Sequence, residues 1–285
     1  MIDAHADVDT YLQAAELNRQ DPLRTGSTLA LPDYGQVVMT GDLHGHKRNY
    51  EKLVRFCNLE RTPVRHVILH ELIHEECNAL DAPDTSHRLL RDAARWKIEF
   101  PEQIHFLQSN HAFAQITGRD ILKAGRSIVE DFVAGVTADY GPEHTPTVLD
   151  AIAQFVRSHA LAAKTHSRIF LSHSLPAGKQ VDRFDPAVLD RPHTDDDLTE
   201  AGPAYGLLWG RRTEHDALER LARLLDVDLF VVGHQPQETG YAVHHGRLLI
   251  LASDHNHGVF LPFDLKKTYT LEQLVDAIRP FAAIA

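Results

Sequence analysis

Asp42 and His44 stand two residues apart in Gly41-Asp42-Leu43-His44-Gly45, directly after the apolar run Gln36 to Thr40. In extended backbone, residues i and i+2 project to the same side, so one cation can take both side chains. Four further fragments offer similar chemistry in order along the chain: His70-Glu71-Leu72-Ile73-His74-Glu75, Ser109-Asn110-His111-Ala112, Ser172-His173-Ser174 and Gly233-His234-Gln235-Pro236. Asn110 brings an amide oxygen suited to a hard cation, and the adjacent His111 points elsewhere, where it can act as an acid. His173 and His234 each end an apolar run. Taken singly, each fragment also reads as an ordinary turn or a packing histidine. Taken together, they deliver oxygen and imidazole ligands from the carboxyl ends of predicted strands, which builds a site for two divalent metals at one sheet edge. Carboxylate, amide and imidazole in one set suit Mn²⁺, Fe or Zn²⁺ better than Ca²⁺.

The elements that must hold these residues follow from hydrophobic spacing. Gln36 to Thr40, Val64 to Leu69, Ile104 to Leu107, Arg168 to Leu171 and Val227 to Val232 read as short buried strands. Helical spacing predicts helices around Tyr11 to Leu17, over Asn49 to Phe56, over Ser86 to Ile98 and over His215 to Leu225. A helical region is predicted from Gly118 to about Ala163, with Val148, Ile152, Phe155, Val156 and Ala160 on one face. From Gly240 onward the pattern is β-rich, and Thr270-Leu271-Glu272-Gln273 has the form of a capping box opening a last helix. Strand and helix in alternation give an α/β fold, and the β-rich second half predicts two packed mixed β-sheets, a β-sandwich, flanked by helices. Residues 1–34 read as an N-terminal helix and lead-in, and 35–285 as a single domain. Leu175 to Gly206 is long, rich in Pro and Asp and weakly patterned, and is expected to be a flap over the site.

Composition narrows the function classes. A formal net charge of −11 over 285 residues disfavours non-specific nucleic-acid binding, and metals would offset part of that charge. No apolar run reaches the roughly 18 residues of a membrane span, so no bilayer role is expected. The start Met-Ile-Asp-Ala-His-Ala-Asp lacks the pattern of a secretory signal. Two cysteines, Cys57 and Cys77, fit a reducing cytoplasm rather than a disulfide framework. The chain has 20 histidines, so only those inside the ordered pattern count as ligand candidates.

At this point the residues resemble a known family. The chain is similar to the calcineurin-like metallophosphoesterases, and within them to the serine/threonine protein phosphatases, over roughly residues 36 to 262. Gly41-Asp42-Leu43-His44-Gly45 matches the family's GDxHG, Ser109-Asn110-His111-Ala112 resembles GNHE, and His173 and Gly233-His234 stand where its later histidine ligands fall. Trp96 to Glu102, before the third strand, also resembles those enzymes. The resemblance implies the metallo-dependent phosphatase fold with a dinuclear site at the carboxyl ends of its strands. The activity it implies is hydrolysis of a phosphomonoester, on a phosphoprotein or a small molecule, by hydroxide bridging the two ions.

The second motif departs from the family's GDxxDRG. Aligned on Val67-Ile68-Leu69, Glu71 takes the place of the bridging aspartate, His74 that of the second aspartate and Glu75 that of the arginine. The resemblance then gives one ion to Asp42, His44 and Glu71, and the other to Glu71, Asn110, His173 and His234. It makes His111 the acid for the leaving oxygen, with His74 as its partner. Arg211 or Arg212, after Leu207-Leu208-Trp209-Gly210, offers a guanidinium to phosphate, and the pair also reads as a surface basic patch.

Two other readings compete. His70-Glu71-Leu72-Ile73-His74 fits the zinc-protease pattern HExxH, which requires a helix and leaves the other four fragments unexplained. A degenerate phosphatase that keeps metal and phosphate binding with little turnover is the binding-class alternative.

Overall fold

Alternate residues along the central strands divide into two apolar sets. Val38, Val67, Leu69, Ile104 and Phe106 pack with one cluster, whereas Val37, Met39 and Ile68 pack with another. This period of two means that both faces of the sheet are buried. In the computed structural model, which describes residues 3–75, 83–123 and 125–284, the sheet has five strands. Their order is Arg279–Pro280, Val259–Asp264, Gln36–Thr40, Arg65–Leu69, Ile104–Phe106, and the last three run parallel. A seven-stranded sheet faces it, with Ile169–Ser172, Leu229–Val232 and Leu248–Leu251 as its parallel centre. The inner faces of both sheets meet through Met39, Ile68, Leu171, Val231, Leu249 and Leu261, forming the core of a sandwich.

Helices cover the two outer faces. Lys47–Cys57, His87–Glu99 and Thr145–Arg157 bury their apolar stripes on the five-stranded sheet, and Ala4–Arg19 packs on His87–Glu99 and Thr145–Arg157. His215–Leu225 covers the other sheet through Leu218, Leu221, Ala222 and Leu225, a run ended by Asp226 in the left-handed conformation. The Thr270 capping box forms as its sequence predicts: Gln273 N–H donates to Thr270 Oγ1 at 3.3 Å, and Thr270 N–H donates to Gln273 Oε1 at 2.9 Å. Among the described residues, no helix is long and apolar enough to cross a membrane.

Three segments differ from their sequence reading. The helical stretch after Gly118 is interrupted by a hairpin, Leu122–Lys123 with Arg126–Ser127, and it ends in a strand at Ala162–Lys164. Gly118 in the left-handed conformation stops the preceding helix, a signal that helical periodicity does not carry. The lead-in adds two strands, Arg24–Thr25 and Thr28–Ala30, to the seven-stranded sheet. Residues 175–206, expected as a flap, are instead wound into short turns. Val181, Phe184, Val188, Leu189 and Leu198 of this segment are buried in the core beneath that sheet. The acidic Asp195–Leu198 turn is held by Arg157 and Arg191.

The two sheets meet at the end where their parallel strands finish. Asp42 bridges Ala252 in parallel, and Ser253 N–H donates to the Asp42 carbonyl at 3.1 Å. Gly41 permits this contact, because a Cβ there would lie 2.2 Å from the Leu251 carbonyl oxygen.

Candidate metal centre

Five parallel strand ends converge at that junction, and each delivers part of the predicted set. Asp42 and His44 follow Gln36–Thr40, Glu71 and His74 follow Arg65–Leu69, and Asn110 and His111 begin the helix Asn110–Thr117 beyond Ile104–Phe106. His173 follows Ile169–Ser172, and His234 lies just past Leu229–Val232. Residues 70–75 are not helical, so His70 and His74 are not one helical turn apart and the zinc-protease pattern lacks its geometry. The backbone is costly here: His44, Glu71, His74 and His234 all have positive φ, between 40° and 66°. Such conformations cost on the order of 1–3 kcal/mol each for side-chain-bearing residues and cluster at functional sites.

The second-ion residues form a tight group. Asn110 Oδ1 lies 2.7 Å from His173 Nε2 and 3.0 Å from His234 Nδ1, and the two nitrogens are 3.2 Å apart. Glu71 Oε2 stands 3.7 Å from His173 Nε2 and accepts the backbone N–H of His111 at 2.9 Å. Glu71 Oε1 is buried and has no hydrogen-bond partner among the described residues. Protons can serve only some of these contacts, whereas a cation satisfies all of the donor atoms together. One atom from each of Asp42, His173 and His234 also lies within 4.8 Å of the others, so the residues present fit a metal.

The first-ion group fits as well. His44 Nδ1 donates to the Ile73 carbonyl at 2.9 Å, which fixes the tautomer and leaves the Nε2 lone pair facing Asp42 Oδ2 at 3.8 Å. Burial alone would raise the Asp42 carboxyl, but the imidazoles of His173, His70 and His44 around it hold it well below the usual carboxylate range. Glu71 moves the other way, pushed well up by burial and then by the charge of Asp42. A carboxylate destabilised in this manner regains its charge when a cation is bound beside it.

His111 and His74 meet at 3.2 Å through their Nδ1 atoms. His74 Nε2 donates to Gln115 Oε1 at 2.8 Å, so its Nδ1 accepts from His111 and the His111 Nε2 is left free. Burial is the main cause that lowers both rings, His74 to about 4 and His111 further, with His44 adding to each. Burial also pushes His234 down to about 4.

A cavity of about 280 Å³ opens over Asp42, His44, Asn110, His111 and His234, and its cationic lining is Lys123 and Arg211. Arg211 Nε donates to His234 Nε2 at 3.1 Å. Arg212 does not join it: its exposed side chain lines a separate cavity with Glu214, His244 and His245. Arg212 has a left-handed backbone, φ 56°, and the bend there turns its side chain away from that of Arg211. Glu75 turns its carboxylate to Thr85, accepting from its N–H and Oγ1 at 2.9 Å each, and does not line the cavity. Two participants were missed in the sequence, Lys123 and His70. Lys123 gave no signal because the hairpin that carries it was not foreseen. His70 stood out only as part of the competing zinc-protease pattern, not as a residue positioning another ligand.

No family model matches the sequence, and no curated protein matches it. Solved structures do. A serine/threonine phosphatase from Saccharomyces cerevisiae, described as similar to human phosphatase PP5, superposes with a TM-score of 0.73 at 15% identity, covering 100% of this chain and 91% of that one. A cold-active protein-tyrosine phosphatase of a psychrophilic Shewanella superposes with a TM-score of 0.57 at 15% identity, covering 88% of this chain and 80% of that one. The chain therefore shares the fold of these phosphatases, the architecture that its motifs led one to expect.

Proposed function

We propose that this protein is a metal-dependent phosphoesterase that hydrolyses a phosphomonoester, borne by a protein or a small molecule. The observation that carries the reading is the convergence of Glu71, Asn110, His173 and His234 around an orphaned buried carboxylate oxygen, beside Asp42 and His44. Asp42, His44 and Glu71 would hold one divalent ion, and Glu71, Asn110, His173 and His234 the other; Mn²⁺, Fe and Zn²⁺ all suit these ligands. When bound, two such ions supply a water nucleophile at neutral pH and Lewis-acid stabilisation of the phosphoryl charge. The chain's own residues do the rest. His111 would give the leaving oxygen a proton from Nε2, and because His74 already takes the Nδ1 proton, that step needs the imidazolium form of His111. Lys123 and Arg211 line the cavity and bind the phosphate oxygens. Cys57 is a buried free thiol, in keeping with a reducing cytoplasm as the place of action.

Purified protein is expected to hydrolyse an aryl phosphate with added Mn²⁺, to stop after chelation and to recover when Mn²⁺ is returned. Failure under all three divalent ions would discard the reading. A second reading, binding with little turnover, has one observation in its favour: the neutral His74 stands against His111, where a carboxylate would better stabilise an imidazolium. Phosphate bound by the Mn²⁺-loaded protein without ester hydrolysis is its signature.

Lys123 gives a sharper expectation. A charge-assisted hydrogen bond contributes about 1.5–3 kcal/mol, so Lys123→Ala is expected to raise KM for aryl phosphate about 10–100-fold, and the inhibition constant of inorganic phosphate with it. Bound metal content is expected to stay unchanged. An unaltered phosphate inhibition constant would remove Lys123 from the site.

A further inference from the structure

His70 lies one residue past Arg65–Leu69, is fully buried and takes no part in the ligand sets above. Its side chain reaches from the five-stranded sheet into the other half of the site. Nε2 is 2.8 Å from the Thr40 carbonyl oxygen, and Nδ1 is 3.0 Å from His173 Nδ1. The space for this ring is built into the turn just past Leu229–Val232 of the other sheet: a Cβ on Gly233 would fall 2.4 Å from His70 Cε1 and 2.5 Å from Asp42 Oδ1.

The hydrogen bonds have a direction. A carbonyl oxygen only accepts, so the His70 proton sits on Nε2 and points at Thr40. His173 faces the opposite demand. Its Nε2 is the atom turned to Asn110, His234 and Glu71, and a nitrogen that ligates a cation carries no proton. The His173 proton must then sit on Nδ1. The nearest acceptor there is His70 Nδ1 at 3.0 Å, whereas Asp42 Oδ1 is 3.6 Å away. His70 Nδ1 also stands 3.3 Å from Asp42 Oδ1, so its lone pair faces a carboxylate whose charge a cation on Asp42 would offset. We propose that His70 is a positioning residue whose Nδ1 accepts the Nδ1 proton of His173, locking that ring into the tautomer that offers Nε2 to a divalent ion. The inference rests on reading His173 as a metal ligand. The resulting relay, Thr40 carbonyl to His70 to His173, ties the strand ends of both sheets to one ion. Outer-shell partners of this kind typically change metal affinity 10–100-fold when removed.

The test uses the zinc-loaded, ¹⁵N-histidine-labelled protein, with long-range ¹H–¹⁵N spectra locating the ring protons and His173→Asn assigning the resonances. The expected pattern is a proton on His173 Nδ1 and on His70 Nε2. His70→Leu keeps the bulk but loses the acceptor, and is expected to weaken zinc binding about 10–100-fold. His70→Asn places Oδ1 where Nδ1 stood and is expected to restore most of that affinity. A proton on His173 Nε2, zinc bonded to His70 Nδ1, or wild-type affinity in the leucine variant would each overturn the proposal. Should His70→Leu fail to fold, the wild-type spectrum alone decides. Because proton position and zinc affinity are read without turnover, the relay can stand in a protein that hydrolyses no phosphate ester.

Discussion

Glu71→Gln is expected to lower aryl-phosphate hydrolysis by about 10³-fold or more and to strip tightly bound metal from the protein. The substitution keeps the length, shape and one acceptor of the side chain, so the His111 N–H bond at 2.9 Å can persist. What it removes is charge. Among the described residues, Glu71 is the carboxylate placed between the Asp42–His44 pair and the Asn110–His173–His234 group, and its Oε1 has no hydrogen-bond partner there. Burial and the neighbouring Asp42 already push its carboxyl well up, so its ionised form depends on a cation to hold it. Glu71→Asp separates charge from reach. It keeps the anion but withdraws it by a methylene from a backbone fixed at φ 46° and from the helix amide it caps. An intermediate loss of about 10–100-fold is therefore expected. Metal content by mass spectrometry, measured beside the rate, checks both variants. A glutamine variant that retained its metal and its rate would show that Glu71 is not a shared ligand.

Much of this site was legible because strand ends are local events. An apolar run of about five residues followed by a polar fragment fixes both the strand and the side from which its ligands emerge. Asp42, Glu71, Asn110, His173 and His234 are of this kind, and the structure brings all five together. Lys123 could not be found that way, since its position depends on a two-residue strand and on Gly118 stopping the helix before it. The stretch 175–206 has no legible pattern for a related reason. Its buried residues Val181, Phe184, Val188, Leu189 and Leu198 are spaced irregularly, so a segment held by tertiary packing has the texture of a loop. Arg211 and Arg212 were inseparable by type, and only the backbone direction assigns one of them to the cavity.

The sandwich also explains why so many histidines are buried neutral, and His159 exposes the cost. It stacks on Phe106 at 5.0 Å and meets Phe155 edge-on at 4.8 Å, and neither ring nitrogen has a partner among the described residues. Burial pushes it down to about 3, with Arg24 adding to the shift. Its folded pKa lies below the ordinary value of 6.5, so the unfolded chain binds a proton that the folded chain refuses. Stability is therefore complete above pH 6.5 and is lost as pH falls from 6.5 toward 3, by up to about 1.4 kcal/mol per pH unit for this residue. His159→Phe removes the titrating group and its two unsatisfied nitrogens while keeping an aromatic ring in the stack. The variant is expected to be more stable than wild type by about 1–3 kcal/mol at pH 7, where only the polar burial is relieved. At pH 5 the margin is expected to widen by about 2 kcal/mol, the cost of holding one proton off over 1.5 pH units. Urea unfolding of the metal-free protein at several pH values measures both quantities. If the two proteins lost stability in parallel between pH 7 and 5, His159 would have to be protonated in the fold. An acceptor for that charge would then have to reach a ring that Phe106 and Phe155 enclose.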